Sequence, residues 1–198
     1  MKDGWEVRPV GEIADHVLGK MLDKSKNTGT PRPYLRNLNV RWFDFDLSDM
    51  LEMKFEDHEF DRYTARRGDV LICEGGYPGR AAIWQKDEPI HFQKAVHRVR
   101  FDNPNLSEWF VYYLYYSDVT GDLRAHFSGT GIQHFTGRAL AKFPLPIPPS
   151  EELSNSLAAL RRATHMLEVV EKKLADQRDD LDALRRSVFA RAFRGELT

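Results

Sequence analysis

Between Pro149 and Gly195 the chain contains neither proline nor glycine, and apolar residues fall seven apart at Leu153, Leu160, Leu167, Leu174, Leu181 and Val188. A second register runs three residues behind the first, at Ala163, Val170 and Leu184, with Gln177 as its polar exception. Alternating steps of three and four are the a/d seam of a left-handed coiled coil. Ser150 is a good N-cap, Glu151 and Glu152 stand in the first turn, and Arg191, Arg194 and Gly195 close the far end, each matching the sign of the helix dipole or the geometry of a C-cap. At about 1.5 Å per residue such a helix reaches roughly 65 Å. No ordinary core needs that length, so the helix reads as a spacer that packs on a partner helix. Leu153, Leu160, Ala163, Leu167, Val170, Leu174, Leu181, Leu184 and Val188 are the expected helix–helix interface. The predicted organisation is α+β, with a compact mixed domain over residues 1–149 and one long coiled-coil-forming helix over 150–198.

The residues before the helix are enough for a single core. No apolar run approaches the ~18 residues of a membrane span, and the charged start Met1-Lys2-Asp3-Gly4 is no signal peptide. One cysteine, Cys73, excludes an internal disulfide and a cysteine-based zinc site. It lies in the run Val70-Leu71-Ile72-Cys73, where a buried inert thiol is expected. These features fit a cytoplasmic protein.

The net charge of −1 argues against a uniformly basic nucleic-acid binder, but the charges are segregated. Lys20, Lys24, Lys26, Arg32, Arg36 and Arg41 face only Asp23 between residues 20 and 41. From Asp44 to Asp61 the sign reverses, and Arg124, Arg138 and Lys142 then follow without an acid between them. Such separation predicts one face able to attract phosphates, against the plainer reading of a solvated surface.

Short strands and turns are expected through the first part. Trp5 to Val10 opens the domain, Gly11 to Val17 reads as a short helix, Gly19 to Pro33 as an exposed loop and Tyr34 to Val40 as a half-buried strand. Asp69 to Glu74 and Arg80 to Trp84 form a hairpin-like unit around Gly75-Gly76-Tyr77-Pro78-Gly79, and Lys94 to Phe101 is another strand. The aromatic density from Leu106 to Ser117 predicts a largely buried helix; a base-stacking platform is the weaker reading. Thr120 to Phe127 suggests a second short helix, Ser128 to Gly137 a glycine-rich loop and Phe143 to Pro149 an extended exit.

Catalytic patterns are weak. Glu52-Met53-Lys54 matches the Glu-x-Lys pair of Mg²⁺-dependent nucleases, but in an acidic run with no clear strand. Asp102-Asn103-Pro104-Asn105 lacks the second proline and aromatic of an amino-methyltransferase loop and reads as a turn. The histidines show no helical i, i+4 pair, and no Ser-His-Asp or phosphate-loop motif is present. The loops offer more. Gly75 to Arg80 and Gly129-Thr130-Gly131-Ile132-Gln133-His134 combine glycines for close approach with donors that suit phosphates and base edges.

Several runs carry a resemblance: Gly19 to Lys24, Tyr34-Leu35-Arg36-Asn37-Leu38-Asn39-Val40, Gly68 to Gly76, Pro78 to Trp84, Phe92 to Val99, Gly129 to Phe135, Leu145 to Pro149, Leu184 to Phe189 and Ala192 to Leu197. In this order they resemble the specificity (S) subunits of type I restriction–modification systems, with a single target recognition domain and one conserved helical region, half of such a subunit. The resemblance implies a non-catalytic subunit that reads one half of a bipartite double-stranded DNA site. It further implies docking of modification subunits, which hold S-adenosylmethionine and methylate adenine, and through them of the restriction subunit. It implies no cofactor on this chain, and pairing of the helix with a second copy or with a partner half-subunit. The expected DNA contacts are Lys20, Lys24, Lys26, Arg32 and Arg36 in the first loop, Tyr77 and Arg80 in the second, and Thr130, Gln133, His134 and Arg138 in the third. The competing readings are a coiled-coil assembly module with no DNA readout and, more remotely, an autonomous Mg²⁺ nuclease.

Overall fold

The computed structural model describes residues 3–23 and 25–197. The chain divides into two compact units, residues 1–153 and 154–198.

In the first unit, β1 (Glu6–Pro9) pairs antiparallel with β10 (Pro144–Ile147), joining the start of the domain to its exit. A four-stranded sheet runs in the order β2 (Ala14–Leu18), β9 (Val96–Phe101), β6 (Val70–Cys73), β7 (Ala81–Ile83). A second runs β4 (Leu51–Phe55), β3 (Thr30–Leu35), β8 (Ile90–Phe92), β5 (Thr64–Ala65). β6 and β9 are almost wholly buried, β6 as its unbroken apolar run requires and β9 with His97 and Arg98 buried between its apolar residues. Leu71, Cys73, Val96, Phe92 and Leu35 build a shared core. Burial pushes the Cys73 thiol up to about 11, so the thiol is inert at neutral pH.

Several boundaries differ from those expected. The helix over Gly11 to Val17 shrinks to the single turn α1 (Val10–Ile13), because Ala14 to Leu18 is drawn into a ladder with β9. The first loop ends earlier, at Thr30, and the strand expected over 34–40 is displaced to Thr30–Leu35. Asn39 ends it: its side chain accepts from the Arg36 amide at 2.9 Å and donates to the Asp46 and Asp49 carbonyls, which favours a turn. Pro31 and Pro33 sit in β3 where only β4 flanks it, the edge-like setting in which a residue without an N–H is tolerated. Glu52-Met53-Lys54 lies within strand β4. Among the described residues no carboxylate or histidine cluster there could hold a metal.

Helix α2 (Pro104–Thr120) starts on the Asn103 cap with Pro104 in its first turn and ends at Gly121, which takes a left-handed φ of 86°. It is buried only in part, where its composition predicts a largely buried helix. Trp109, Phe110, Val111 and Leu114 enter the core, and the Trp109 indole donates to the Pro146 carbonyl at 2.6 Å. Tyr115 and Tyr116 are exposed, with Tyr115 packing on Trp42 and Phe43. Asp122–His126 is a 3₁₀ turn, and α3 (Gly137–Lys142), which no periodicity announces, starts on the Thr136 hydroxyl.

The second unit lies within α4 (Ser150–Phe193) and the few residues that follow it. Leu167, Val170, Leu174, Leu181, Leu184 and Val188 are all exposed, so the heptad seam faces solvent from Leu167 onward, whereas Leu153 is buried and Leu160 half-buried in the single chain. Met166, Val169 and Phe189 add exposed apolar surface outside the two registers. No helix among the described residues is long and apolar enough to cross a membrane.

Two histidines make the first unit sensitive to acid. His97 is fully buried and His91 nearly so, and burial lowers each to about 4 from an ordinary 6.5, with Arg32 adding to the effect at His91. In the folded chain both rings stay neutral down to about pH 4, whereas the unfolded chain takes up protons near pH 6.5. Between these values only the unfolded state binds protons, so stability falls on acidification by about 1.4 kcal/mol per pH unit for each ring. Urea denaturation across this range should show the fall, and His97→Gln, which keeps a donor, should reduce its slope by one proton. An unchanged slope in the variant would contradict the assignment.

Candidate nucleic-acid interface

The turn between β6 and β7 is set by its glycines. Gly76 and Gly79 have φ of 77° and 85°, and a Cβ on Gly79 would stand 2.4 Å from the Leu123 side chain. The Gly79 amide donates to the Cys73 carbonyl and the Cys73 amide to the Arg80 carbonyl, both at 2.9 Å, closing the hairpin. Asn37, in the turn after β3, grips this loop from below. Its side-chain Nδ2 donates to the Gly75 carbonyl, and its backbone carbonyl accepts from the Arg80 guanidinium, each at 3.0 Å. Arg80 thus points inward, with Nε buried and lacking a hydrogen bond. Its guanidinium also lies 5.1 Å from the Tyr77 ring, which is 45 % exposed above it. The Tyr77 hydroxyl donates to the Asp118 carboxylate at 2.9 Å, and this bond raises the phenol above its ordinary pKa.

The third loop lies beside the second. Ser128 and His134 exchange backbone hydrogen bonds of 2.9 and 2.8 Å, which pinch the loop at its base. The Phe135 amide donates to the Glu74 carbonyl at 2.8 Å, immediately before Gly75. From inside, His97 Nε2 lies 3.0 Å from the Phe135 carbonyl. A carbonyl only accepts, so the neutral ring carries its proton there. A Cβ on Gly75 would lie 3.1 Å from His134 Nδ1. Beyond this base Thr130, Gln133 and Arg138 are exposed, Arg138 in the first turn of α3.

The first loop is built differently. Lys20 is buried, and its ammonium donates to the Lys54 carbonyl at 3.0 Å and pairs with Glu59. Burial works against the Glu59 carboxylate, but the Glu56 amide and Lys20 outweigh it and hold Glu59 below the usual range. Arg36 donates to the Asp49 carbonyl and carboxylate at 2.6 and 2.7 Å, and Arg41 pairs with Asp46. The basic stretch and the acidic stretch, separate in sequence, are therefore folded onto each other. This corrects the expectation for Lys20 and Arg36, whose charges are used internally. Lys26 remains exposed beside Asp23, and Arg32 is exposed on β3. Lys24 lies outside the described residues.

The structure thus brings Tyr77, Arg80 and His134 together with Thr130 and Gln133 on adjoining loops, with Arg138 in the helix turn that follows, and gives Lys20 and Arg32 a separate setting against β4 and on β3. Sequence reasoning missed Asn37, His97 and Asp118 as supports. Asn37 stands inside one of the family-like runs, but its role depends on a contact 38 residues away in sequence.

The Type I restriction modification DNA specificity domain model matches residues 2–176. The type I restriction enzyme EcoKI specificity subunit of Escherichia coli (strain K12) is 21% identical over 194 residues, covering 94% of this chain and 42% of that protein. Among solved structures, one reported as the structural basis of complex assembly and conformational transition of the type I R-M system superposes over the whole chain with a TM-score of 0.77 at 21% identity. The HsdS subunit from Thermoanaerobacter tengcongensis does so with 0.68 at 22%. This chain spans 47% and 46% of those two chains, so it is less than half the length of the relatives it matches. The fold is theirs, and the chain belongs to the family of type I restriction–modification DNA specificity domains.

Proposed function

We propose that this chain is a non-catalytic, cytoplasmic DNA-recognition subunit that reads one half of a bipartite site and docks a modification subunit. The observation that carries the reading is the joined pair of loops, whose backbone is held from within while Thr130 and Gln133 project outward. Gln suits adenine in bidentate geometry, and the Thr hydroxyl can donate to or accept from a base edge. Tyr77, His134 and Arg138 flank them. Lys26 and Arg32, and Lys24 by its sequence position, supply phosphate contacts that fix orientation without reading bases. Arg80 and Asn37 position the second loop and do not themselves meet DNA.

The exposed seam of α4 supports pairing with an antiparallel helix, from a second copy or from the other half of a larger subunit. Two copies related by a two-fold axis would read an inverted repeat with a fixed gap. S-adenosylmethionine would belong to the modification subunit and the restriction subunit would join through it.

Selection from a random duplex pool, with the complete chain alone and assembled with its modification subunit, tests the DNA reading. Gln133→Ala should weaken the selected site by about 1–3 kcal/mol and relax one base position. Lys26→Ala should weaken all sequences alike and lower the salt dependence by about one phosphate contact. Retention of the parental preference and salt slope by both variants would sink the assignment. For the helix, light scattering should give twice the 23.0 kDa chain mass, and Leu174→Glu with Leu181→Glu should return it to one. A parent already at one chain mass would place the partner helix in another polypeptide.

A further inference from the structure

Ile132 is the most exposed large apolar side chain among the described residues of the first unit, at 76 %. A lone exposed isoleucine is ordinary on a protein surface and by itself means nothing. Three features set this one apart. Its backbone is packed inward: a Cβ on Gly129, whose φ is 105°, would lie 2.3 Å from the Ile132 carbonyl, so the loop closes only over glycine. The base of the loop is fixed by the Ser128–His134 pair, the Phe135–Glu74 bond and His97, a network shared with the second loop. Finally, its exposed neighbours Thr130 and Gln133 are hydrogen-bonding side chains of the kind that meet base edges.

A β-branched side chain has few rotamers and loses little freedom on contact. Held out between Thr130 and Gln133, it presents a stiff apolar surface where base edges would arrive. The apolar group that a base pair offers in the major groove is the 5-methyl of thymine. We infer that Ile132 is a specificity-determining residue that packs against a thymine methyl in the target site. This rests on the DNA reading proposed above and extends it, because the discrimination comes from excluding water between two apolar groups and uses no hydrogen bond. Gln133 supplies the polar contact to a neighbouring base, so the loop tip reads by two different chemistries side by side.

The test uses the site selected by the complete chain assembled with its modification subunit. Each thymine is replaced in turn by deoxyuridine, which removes the methyl and leaves every hydrogen-bonding group. The parent should lose about fourfold in affinity at one position, the worth of one buried methyl. Ile132→Ala, at a solvent-exposed position, should keep the parental melting temperature, bind the thymine site more weakly and show no further loss on that replacement. A parent indifferent to every replacement, a selected site with no thymine, or an equal loss in Ile132→Ala would overturn the contact and leave the DNA reading standing. Failure to enrich any sequence would overturn both.

Discussion

The backbone of Glu74 ties the second and third loops to the sheet. Its amide donates to Ala95 at the entry to β9, and its carbonyl accepts from Phe135 at the foot of the third loop, both at 2.8 Å. One peptide segment at the end of β6 thereby joins the two adjoining loops to the most buried strand pair of the sheet. Asn37 and His97 add to this from either side, the first gripping Gly75 and the second gripping Phe135. Buried backbone groups have no water to fall back on, so breaking either bond would leave a donor or acceptor unsatisfied. Loops that are usually the mobile part of a domain are here extensions of its core.

Electrostatics are arranged with the same economy. Charges separated along the sequence meet in space as Lys20 with Glu59, Arg36 with Asp49 and Arg41 with Asp46. Deeper in, Asp69 takes two hydrogen bonds of 2.7 Å from Arg100, and Arg98 reaches Asp15 and the carbonyls of Asp61 and Thr64. These pairs fasten the sheets and the acidic turn, and they leave a surface without strong net charge. Binding that depends on such a surface owes less to a broad basic field and more to the few side chains at the loop tips.

The long helix was legible because its heptad repeat is a local, periodic signal with proline and glycine excluded. The β6–β7 hairpin was legible for a related reason, an apolar run ending in glycines that can turn. What escaped depended on partners far away in sequence. Residues 14–18 carry helical character that the ladder with β9 overrides, and the strand at Thr30–Leu35 survives two prolines only because β8 is absent beside them. The site shows the same split. Gly129, Thr130 and Gln133 stood out as a glycine-rich loop with amide and hydroxyl side chains. The inward turn of Arg80 and Lys20 became visible only with Asn37 and Glu59 in place, since a basic residue in a loop reads the same whether it faces solvent or a carboxylate.

The pinched third loop also bears on how a surface of this kind can change over time. Its shape depends on main-chain bonds between Ser128 and His134, on Gly129 and on supports in the core, none of which involves the side chains at its tip. Those tip positions can be exchanged one at a time without refolding the domain beneath them. Tip chemistry and stability are therefore nearly separable in this loop, and a lineage can vary the tip by single substitutions while each intermediate remains a folded protein.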